Sequence, residues 1–324
     1  MQFRREVRVR LDIEKVSEEP GPYIMSYGFD LEALRESIRR VGLINPPVVA
    51  RNQEGSFDII SGYRRILALK SLGEREVFCE DATAVLSSPL ERFLAAFYEN
   101  LATRKFNDME KAIILNKLQE KVTREEILVS FMPLLSLPSH EGTLKFYLKL
   151  LDLEENTQMA MAMEKISINA VKVLVEVEKE DRKALFQWIE QLQLNFNQQI
   201  KFIDYSKDIS IRDAITMANL LSQQDLLGIV GNPRLNNPQK AKAVLEVLRV
   251  RRFPRWSQAQ RAVESAVCAI SMPPETSIHY DPSLEDPNYH LEIRFKEGKD
   301  LTRTIEKLHA MPELEAIPEL WTSR

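Results

Sequence analysis

A glycine, two arginines and a later acid–amide pair follow one another in an order that suits phosphate binding. Gly62 lies directly before Tyr63, Arg64 and Arg65, at the predicted start of a helix. Glycine permits close backbone approach there, the first-turn N–H groups face an anion, and the helix dipole favours negative charge. The two guanidinium groups add forked donors for phosphate oxygens. These residues predict a phosphate cradle.

Two further segments accompany this cradle. Glu99 and Asn100 offer hard oxygen ligands for a magnesium ion shared with the phosphate, and Arg104 follows shortly after. Asn45 lies in the segment 42–47, Gly-Leu-Ile-Asn-Pro-Pro. Each piece alone also fits a surface turn or a solvated helix, so the prediction depends on the order and spacing of all three.

The elements that would position these residues are mixed over the first ~115 residues. Alternating apolar residues, among them Phe3, Val7 and Val9, predict a strand over 3–13. Asp30 is typical of a helix N-cap, Gly42 of a C-cap, and the following prolines prevent the helix from resuming. Strands are predicted over 48–50, 57–60 and 76–86, and helices over 64–72 and from about residue 89.

Beyond residue 107 the pattern is almost purely helical, and a proline pair at 273–274 then introduces a third region. There a strand is predicted over 289–296 and a helix over 301–311. The predicted helices of the middle region are 108–120, 124–131, 142–151, 155–164, 167–177, 180–192, 210–222, 238–252 and 257–270.

The helix pair 124–131 and 142–151 is a candidate DNA-binding unit. An apolar face on the second helix and lysines on another would suit a recognition helix, although an ordinary amphipathic pair has the same spacing. Residues 104–151 contain eight Lys and Arg against six Asp and Glu, so we expect weak or salt-sensitive binding. The candidate contacts to bases or phosphates are Ser139, His140, Thr143, Lys145 and Lys149. A protein–protein role for this pair remains open.

The most basic stretch, residues 249–261, holds five arginines interleaved with Phe253 and Trp256. Such a pattern can track a nucleic-acid backbone, but a helix–proline–helix corner with solvated arginines explains it better.

Composition sets the broad class. The net charge of -4 argues against nonspecific coating of DNA, while a local basic face remains possible. Two distant cysteines fit a reducing cytoplasm. No apolar run reaches the ~20 residues of a membrane span, and no secretory signal is visible. We therefore expect a cytoplasmic protein without a membrane partner.

Three segments resemble the ParB/Spo0J family and the broader ParB–sulfiredoxin fold. Residues 42–49, GLINPPVV, are similar to the family's first box, and residues 61–73, SGYRRILALKSLG, to its GERRxRAxxxxG box. Residues 99–112, ENLATRKFNDMEKA, are similar to ENxQRxxLxxxExA, with Glu110 and Ala112 in place. The three occur in family order. Residues 143–177 are similar to the helical stretch that follows in the family.

The resemblance implies a CTP-binding clamp that closes on DNA as a homodimer. In that picture Gly62, Arg64 and Arg65 hold the triphosphate, Glu99 and Asn100 hold Mg²⁺, and Asn45 lies near the nucleotide. The implied fold is an α+β ParB/sulfiredoxin-like domain, an all-α helix-turn-helix region and a small α/β C-terminal tail. The predicted regions are 1–115 for the nucleotide, 116–230 for DNA, 231–272 as a helical extension and 273–324 as a tail that is a candidate for dimerisation.

The sequence departs from the family at three places. Tyr63 replaces the usual glutamate, and Asn45 replaces the usual glutamine. Because Tyr63 removes a carboxylate from the phosphate loop, hydrolysis is expected to be weak or lost while binding survives. Residues 136–142, SLPSHEG, lack the usual Gly-Lys-Ser-Arg-like start of the recognition element. No cysteine lies in the phosphate loop, which argues against sulfiredoxin chemistry.

The leading interpretation is therefore a nucleoid-associated DNA-binding protein of chromosome or plasmid partition, or of transcriptional regulation. It would be at most a weak CTPase, with a possible ParA-type ATPase partner. The alternatives are a nuclease or nucleotide-dependent enzyme on the same fold, and a divergent adaptor that has lost nucleotide and DNA binding.

Overall fold

The computed structural model describes residues 8–16, 19–281 and 288–317. The chain divides into two compact units, Met1–Ile203 and Asp204–Arg324, with the boundary inside a long helix. The four regions expected from the sequence are finer than this division and stay a prediction.

A four-stranded mixed sheet organises the start of the first unit. Its strands are β1 (Arg8–Asp12), β2 (Val48–Arg51), β3 (Phe57–Ser61) and β4 (Glu76–Asp81), in the order β1-β4-β2-β3. β1 and β4 pair antiparallel, as do β2 and β3, whereas β2 and β4 run parallel. The strands predicted over 48–50 and 57–60 are confirmed. Phe3 and Val7 lie outside the described residues.

Strand β4 is shorter than the predicted 76–86. It ends at Asp81, whose carboxylate accepts a hydrogen bond from the Thr83 backbone N–H at 2.9 Å. This side-chain contact turns the chain out of the sheet, because an aspartate that binds the backbone two residues on forms its own turn. The prediction of a longer strand was therefore wrong.

Helices α1 (Glu32–Val41) and α2 (Tyr63–Ser71) pack on the sheet. The predicted C-cap of α1 is confirmed, since Gly42 closes the helix with φ +74°. The predicted N-cap is wrong by one residue: Leu31 is the N-cap, and the Asp30 carboxylate before it accepts from the Glu32 N–H at 2.9 Å. Together the sheet and these helices bury one apolar core, which consists of Ile13, Ile38, Val49, Ile66, Ala68, Leu69, Val77 and Cys79.

Helix α3 (Pro89–Thr103) begins with a capping box between Ser88 and Glu91, and α4 (Asp108–Gln119) with one between Asn107 and Glu110. In each box the two side chains satisfy backbone N–H groups that the helix itself leaves unpaired. Residues 104–107 are too few to form another element, so α3 and α4 are joined by a short, doubly capped corner.

The predicted helix over 124–131 is part of a longer, irregular helix. α5 (Arg124–Glu126) continues as a π-helical turn, Ile127–Phe131, and then as α6 (Met132–Leu134). Pro133 explains the irregularity, because proline donates no N–H and its ring collides with the carbonyl four residues before it.

The remaining predicted helices of the first unit are confirmed within a few residues. The predicted 142–151 ends as an α-helix at Lys149 and adds a 3₁₀ turn, Leu150–Asp152. The helices are α7 (Glu141–Lys149), α8 (Glu155–Ala162), α9 (Ile168–Leu174) and α10 (Lys179–Leu192).

The predicted helix 210–222 is wrong. The structure has α11 (Phe196–Asp213), a break at Ala214 with φ +53°, and α12 (Met217–Leu221), capped by Thr216. The buried residues of α11 have helical spacing, but half of them are polar. A search for hydrophobic periodicity therefore misses this helix. This buried stripe of α11 consists of Gln199, Phe202, Ile203, Ser206, Ile209 and Ser210.

The rest of the second unit is helical and ends in a small hairpin with a helix. Its helices are α13 (Gln224–Gly231), α14 (Asn237–Arg252) and α15 (Pro254–Ala269). The tail holds antiparallel β5 (Thr276–Tyr280) and β6 (Tyr289–Ile293), followed by α16 (Gly298–His309). β6 and α16 confirm the predicted strand and helix; β5 was not predicted. Among residues that the structure describes, no helix is both long and apolar enough to span a bilayer.

Candidate functional site

A cavity of about 470 Å³ lies in the first unit between the sheet, α2, α3 and the segment 23–26. All eight residues predicted to hold a nucleotide line this cavity, although 59 positions separate the first from the last. They are Asn45, Gly62, Tyr63, Arg64, Arg65, Glu99, Asn100 and Arg104. The fold therefore brings the three sequence segments to one place.

Gly62 shapes the side of the cavity that the sequence predicts to hold phosphate, called the phosphate side below. It joins β3 to α2 with φ +91°, a conformation that costs residues with a side chain. A Cβ at this position would lie 2.9 Å from Pro47 Cα, so the backbone of the proline segment closes tightly against the loop. The N-terminus of α2 opens from this glycine, as the sequence predicted for an anion site.

Arg65 joins the other parts of the phosphate side. Its Nη1 donates to the Asn45 carbonyl at 2.6 Å and to the Pro46 carbonyl at 3.1 Å, and its Nη2 to Ser61 Oγ at 3.2 Å. The same Nη2 is 3.5 Å from Glu99 Oε1. Asn45 thus contributes its backbone carbonyl to this arrangement.

Arg64 and Arg104 converge on a carboxylate that lies behind the cavity. Arg64 Nη2 donates to Glu110 Oε1 at 2.6 Å, and Arg104 Nη1 to Glu110 Oε2 at 2.5 Å. The Arg64 guanidinium also stacks on the Phe29 ring, 4.5 Å from its centroid. Burial, and then the nearby charge of Arg104, lower the pKa of Arg64. Arg64 nevertheless remains charged at neutral pH, because arginine is effectively always protonated.

The metal ligands expected at Glu99 and Asn100 are adjacent on α3 and face the cavity. Glu99 is 42% exposed, whereas Asn100 Oδ1 already accepts a hydrogen bond from Arg104 Nε at 2.9 Å. One carboxylate and one amide fit Mg²⁺ only if phosphate and water supply the remaining oxygens, which is how Mg²⁺ commonly binds nucleotides. No cluster of three His, Cys, Asp or Glu side chains suited to a metal occurs in the described ranges.

The residues predicted to contact DNA lie at the start of α7 and along its length. Ser139, His140, Lys145 and Lys149 are exposed and Thr143 is half-buried. His140 is the N-cap, and its Nδ1 accepts from the Gly142 N–H at 2.9 Å. The opposite face of α7 buries Leu144 and Tyr147, and the tyrosine hydroxyl donates to Asp108 of α4 at 2.7 Å.

Ion pairs reduce the positive charge of this face. Lys149 Nζ lies 2.8 Å from Glu176 Oε1, and Arg124 Nε donates to Glu141 at 2.7 Å. Lys145 is the exposed lysine of α7 for which no such short pair is found among the described residues. The weak phosphate attraction expected from the sequence agrees with this arrangement.

Comparison with known proteins identifies the family. The family model described as the ParB N-terminal domain matches residues 4–101. The probable chromosome-partitioning protein ParB of Campylobacter jejuni is 30% identical over 213 residues, which cover 64% of this chain and 72% of that protein. The chain belongs to the ParB family. A nucleoid occlusion protein of Geobacillus thermodenitrificans is 30% identical over 205 residues, which cover 61% and 68% of the two chains.

Two solved ParB structures from Caulobacter crescentus also match. The C-terminally truncated protein complexed with CTP-gamma-S is 21% identical with a TM-score of 0.27, over 53% of this chain and 93% of that one. The same protein complexed to the centromeric parS site is 20% identical with a TM-score of 0.31, over 59% and 96%.

In this ParB-family chain the cavity also has an apolar wall that the sequence analysis did not assign. Its aliphatic and aromatic side chains come from the segment 23–26, α1, β2 and β3. They are Tyr23, Ile24, Met25, Leu34, Val48 and Ile60. The available signal was the short apolar run 23–25 between Gly21 and Gly28, which has neither strand nor helix periodicity.

The arginine-rich stretch of this ParB-family chain is engaged within the second unit. Arg249 pairs with Glu246 at 2.6 Å and stacks on Trp256, while Arg252 pairs with Asp208 at 2.5 Å and stacks on Phe253. Arg251 pairs with Asp225 at 2.5 Å. These contacts favour the structural interpretation of residues 249–261 over nucleic-acid binding.

Proposed function

We propose that this ParB-family chain binds CTP in the cavity and DNA through α7, and that it acts as a homodimeric clamp in partition. The observation that supports the nucleotide most strongly is that Arg64, Arg65 and Arg104 all line the same cavity. Three guanidinium groups suit a triphosphate, because each offers forked, charge-assisted donors to phosphate oxygens.

The size and polarity of the cavity support the same assignment. Its volume of about 470 Å³ falls in the range of small-ligand sites, which run from about 300 to 1,000 Å³. The apolar wall formed by Ile24, Val48 and Ile60 suits a base, and the arginines of the lining suit phosphates. The choice of cytosine comes from family membership and not from a contact in the cavity.

Magnesium is proposed as the companion ion. Glu99 would be its carboxylate ligand, and Asn100 would join it only by exchanging its hydrogen bond with Arg104. The ion would neutralise phosphate charge; the chain's own arginines would orient the triphosphate.

Hydrolysis is proposed to be slow or absent. Tyr63 occupies the position where family members usually have glutamate, and its ring is buried edge-on against Phe29 at 6.3 Å. A phenol there supplies no carboxylate base for water. Binding does not depend on that group, because the arginines make the phosphate contacts.

The DNA contacts are proposed for Ser139, His140, Thr143, Lys145 and Lys149, with nucleotide binding linked to closure of two copies around DNA. The nucleotide can promote closure only to the extent that it binds the closed dimer better. A ParA-type ATPase partner and a nucleoid-associated, cytoplasmic location complete the proposal. No observation in the described residues favours the nuclease alternative.

A nucleotide panel tests the proposal. We expect CTP with Mg²⁺ to raise the melting temperature of the purified protein, and to bind in calorimetry, more than ATP, GTP or UTP do. If millimolar CTP gives neither heat nor a thermal shift, nucleotide gating is wrong. Selection from a random DNA library then separates a DNA-binding protein from an adaptor, because an adaptor would enrich no site.

A further inference from the structure

A glutamate outside the cavity holds two of its three arginines. Glu110 lies in the first turn of α4, is 1% exposed, and does not line the cavity. Its Oε1 accepts from Arg64 at 2.6 Å and from the Tyr27 N–H at 3.2 Å. Its Oε2 accepts from Arg104 at 2.5 Å and from the Asn107 N–H at 3.1 Å.

These four donors satisfy both oxygens of a carboxylate that lies in the interior. Burial of an ionised carboxylate is unfavourable unless it is paired and hydrogen-bonded, and Glu110 is both. Because it is satisfied on both oxygens, its position is fixed. The two guanidinium groups are fixed with it, although their own side chains would otherwise have several rotamers to choose from.

Each arginine keeps donors for a ligand. A guanidinium has five N–H donors, and the contacts to Glu110, Ser26 and Asn100 use only part of them. The side chains of Arg64 and Arg104 remain 29% and 20% exposed, and both residues line the cavity. Glu110 thus lies behind the arginines, and a ligand would approach from the front.

The same face of α4 holds the segment that forms the cavity wall. Lys117, seven residues after Glu110, donates to the carbonyls of Gly21 at 2.9 Å and Ile24 at 2.7 Å. Asn107 Nδ2 donates to the Tyr27 carbonyl at 2.9 Å. Residues three and seven apart on a helix lie on one side of it, so one side of α4 binds both the arginines and the segment 21–27.

We propose that Glu110 is a positioning residue for the nucleotide site. It holds Arg64 and Arg104 in the orientation that a triphosphate needs, so affinity for the nucleotide depends on a helix outside the cavity. This inference rests on the proposed function for its ligand, but the placement of the arginines can be tested without any nucleotide.

The test compares Glu110→Gln with Lys111→Met in the full chain. Both change a charged side chain of α4, but only Glu110→Gln removes the negative charge that holds the arginines; Lys111 pairs with Asp108 on the same helix and does not line the cavity. We expect phenylglyoxal to modify Arg64 and Arg104 about fivefold to tenfold faster in Glu110→Gln, since a lost charge-assisted bond frees each guanidinium. Peptide mass spectrometry measures these rates, with Arg65 as the reference within the same molecule.

CTP binding provides the second readout. We expect Glu110→Gln to weaken CTP binding about tenfold, with Lys111→Met within about threefold of wild type. Glu110→Asp, which keeps the charge but is one methylene shorter, serves if Glu110→Gln does not fold, and should change both readouts in the same direction.

The outcomes are separable. Unchanged reactivity of Arg64 and Arg104 in both Glu110 variants overturns the positioning role, whether or not CTP binds. Faster modification with unchanged CTP affinity overturns it as well, because the orientation would then not matter to the ligand. If wild-type protein binds no nucleotide but the arginines are released in Glu110→Gln, the proposed function fails while the placement of the arginines by Glu110 stands.

Discussion

Arg65 and Glu99 lie 3.5 Å apart, Nη2 to Oε1, although 34 positions separate them in the chain. Arg65 comes from the first turn of α2, at the glycine-opened loop, and Glu99 from the last part of α3. Both line the same cavity. This pair therefore joins the predicted phosphate side of the site to its predicted metal side, and it is the relationship on which the nucleotide proposal depends.

Arg65→Ala is expected to abolish measurable CTP binding. The guanidinium both offers donors to phosphate and ties the carbonyls of Asn45 and Pro46 to the loop. Loss of two charge-assisted bonds corresponds to about a hundredfold or more in affinity. Calorimetry with CTP and Mg²⁺ measures the change.

Arg40→Ala is the matched control, since Arg40 is 75% exposed, pairs with Glu36 on α1 and does not line the cavity. It should bind as wild type does. Equal CTP affinity in Arg65→Ala and Arg40→Ala would place the nucleotide elsewhere.

Gly62→Ala is expected to destabilise the first unit more than Gly73→Ala does. Both glycines have positive φ, +91° and +82°, so both substitutions incur the left-handed strain of about 1–2 kcal/mol. Only at Gly62 would the new methyl meet backbone, 2.9 Å from Pro47 Cα, whereas nothing lies within 4 Å at Gly73. Overpacking adds about 1–3 kcal/mol.

Urea unfolding of the two glycine variants measures this difference in the free energy of unfolding. If Gly62→Ala is as stable as Gly73→Ala, the loop and the Pro47 segment can move apart freely. The conclusion that Gly62 is needed for a close approach to Pro47 would then be wrong.

Lys117 should make stability depend on pH in the alkaline range. Burial, and then the neighbouring Lys121, lower the pKa of Lys117 to about 8 from its ordinary 10.5. Between these two values the unfolded chain binds more protons than the folded one, so the free energy of unfolding contributed by this group rises with pH. Below about pH 8 both states are protonated and its contribution is flat.

The measurement is the free energy of unfolding at intervals from pH 7 to about pH 10.5 for wild type and Lys117→Met. Subtraction removes the other groups that titrate in this range, such as Tyr27, whose pKa is raised by burial and so acts in the opposite direction. A difference curve that stays flat from pH 8 upward would contradict the burial of a charged Lys117.

Lys145→Ala is expected to weaken DNA binding more than Lys149→Ala does. Each phosphate contact contributes about 0.9 to the slope of log affinity against log salt. Lys149 already pairs with Glu176 at 2.8 Å, so it must give up this carboxylate to bind a DNA phosphate. Lys145 is exposed on the same helix. Binding to a mixed-sequence duplex at several salt concentrations gives the slopes.

A slope that falls in Lys145→Ala and hardly changes in Lys149→Ala supports the assignment of α7 to DNA. Identical slopes in wild type and both variants would remove α7 from the DNA surface, and the helix pair would then be a candidate protein-binding surface.

Local signals in the sequence determined much of this protein. Asp30 and the cap residues Gly42 and Gly62 act on their immediate neighbours, so the ends of α1 and the start of α2 follow from them. The three spaced segments likewise determined eight of the residues that line the cavity. Such signals are readable because caps, turns and left-handed glycines are set by backbone geometry over a few residues.

Only the tertiary structure decided which distant residues contact the arginines and which residues form the apolar wall of the cavity. Glu110 meets Arg64 across 46 positions, and the segment 23–26 forms the cavity wall because Lys117 holds it from more than 90 positions away. The half-polar buried stripe of α11 likewise escaped hydrophobic periodicity. The physical reason is that such partners are chosen by non-local packing, where a buried charge or polar group takes whichever counterpart the fold brings to it.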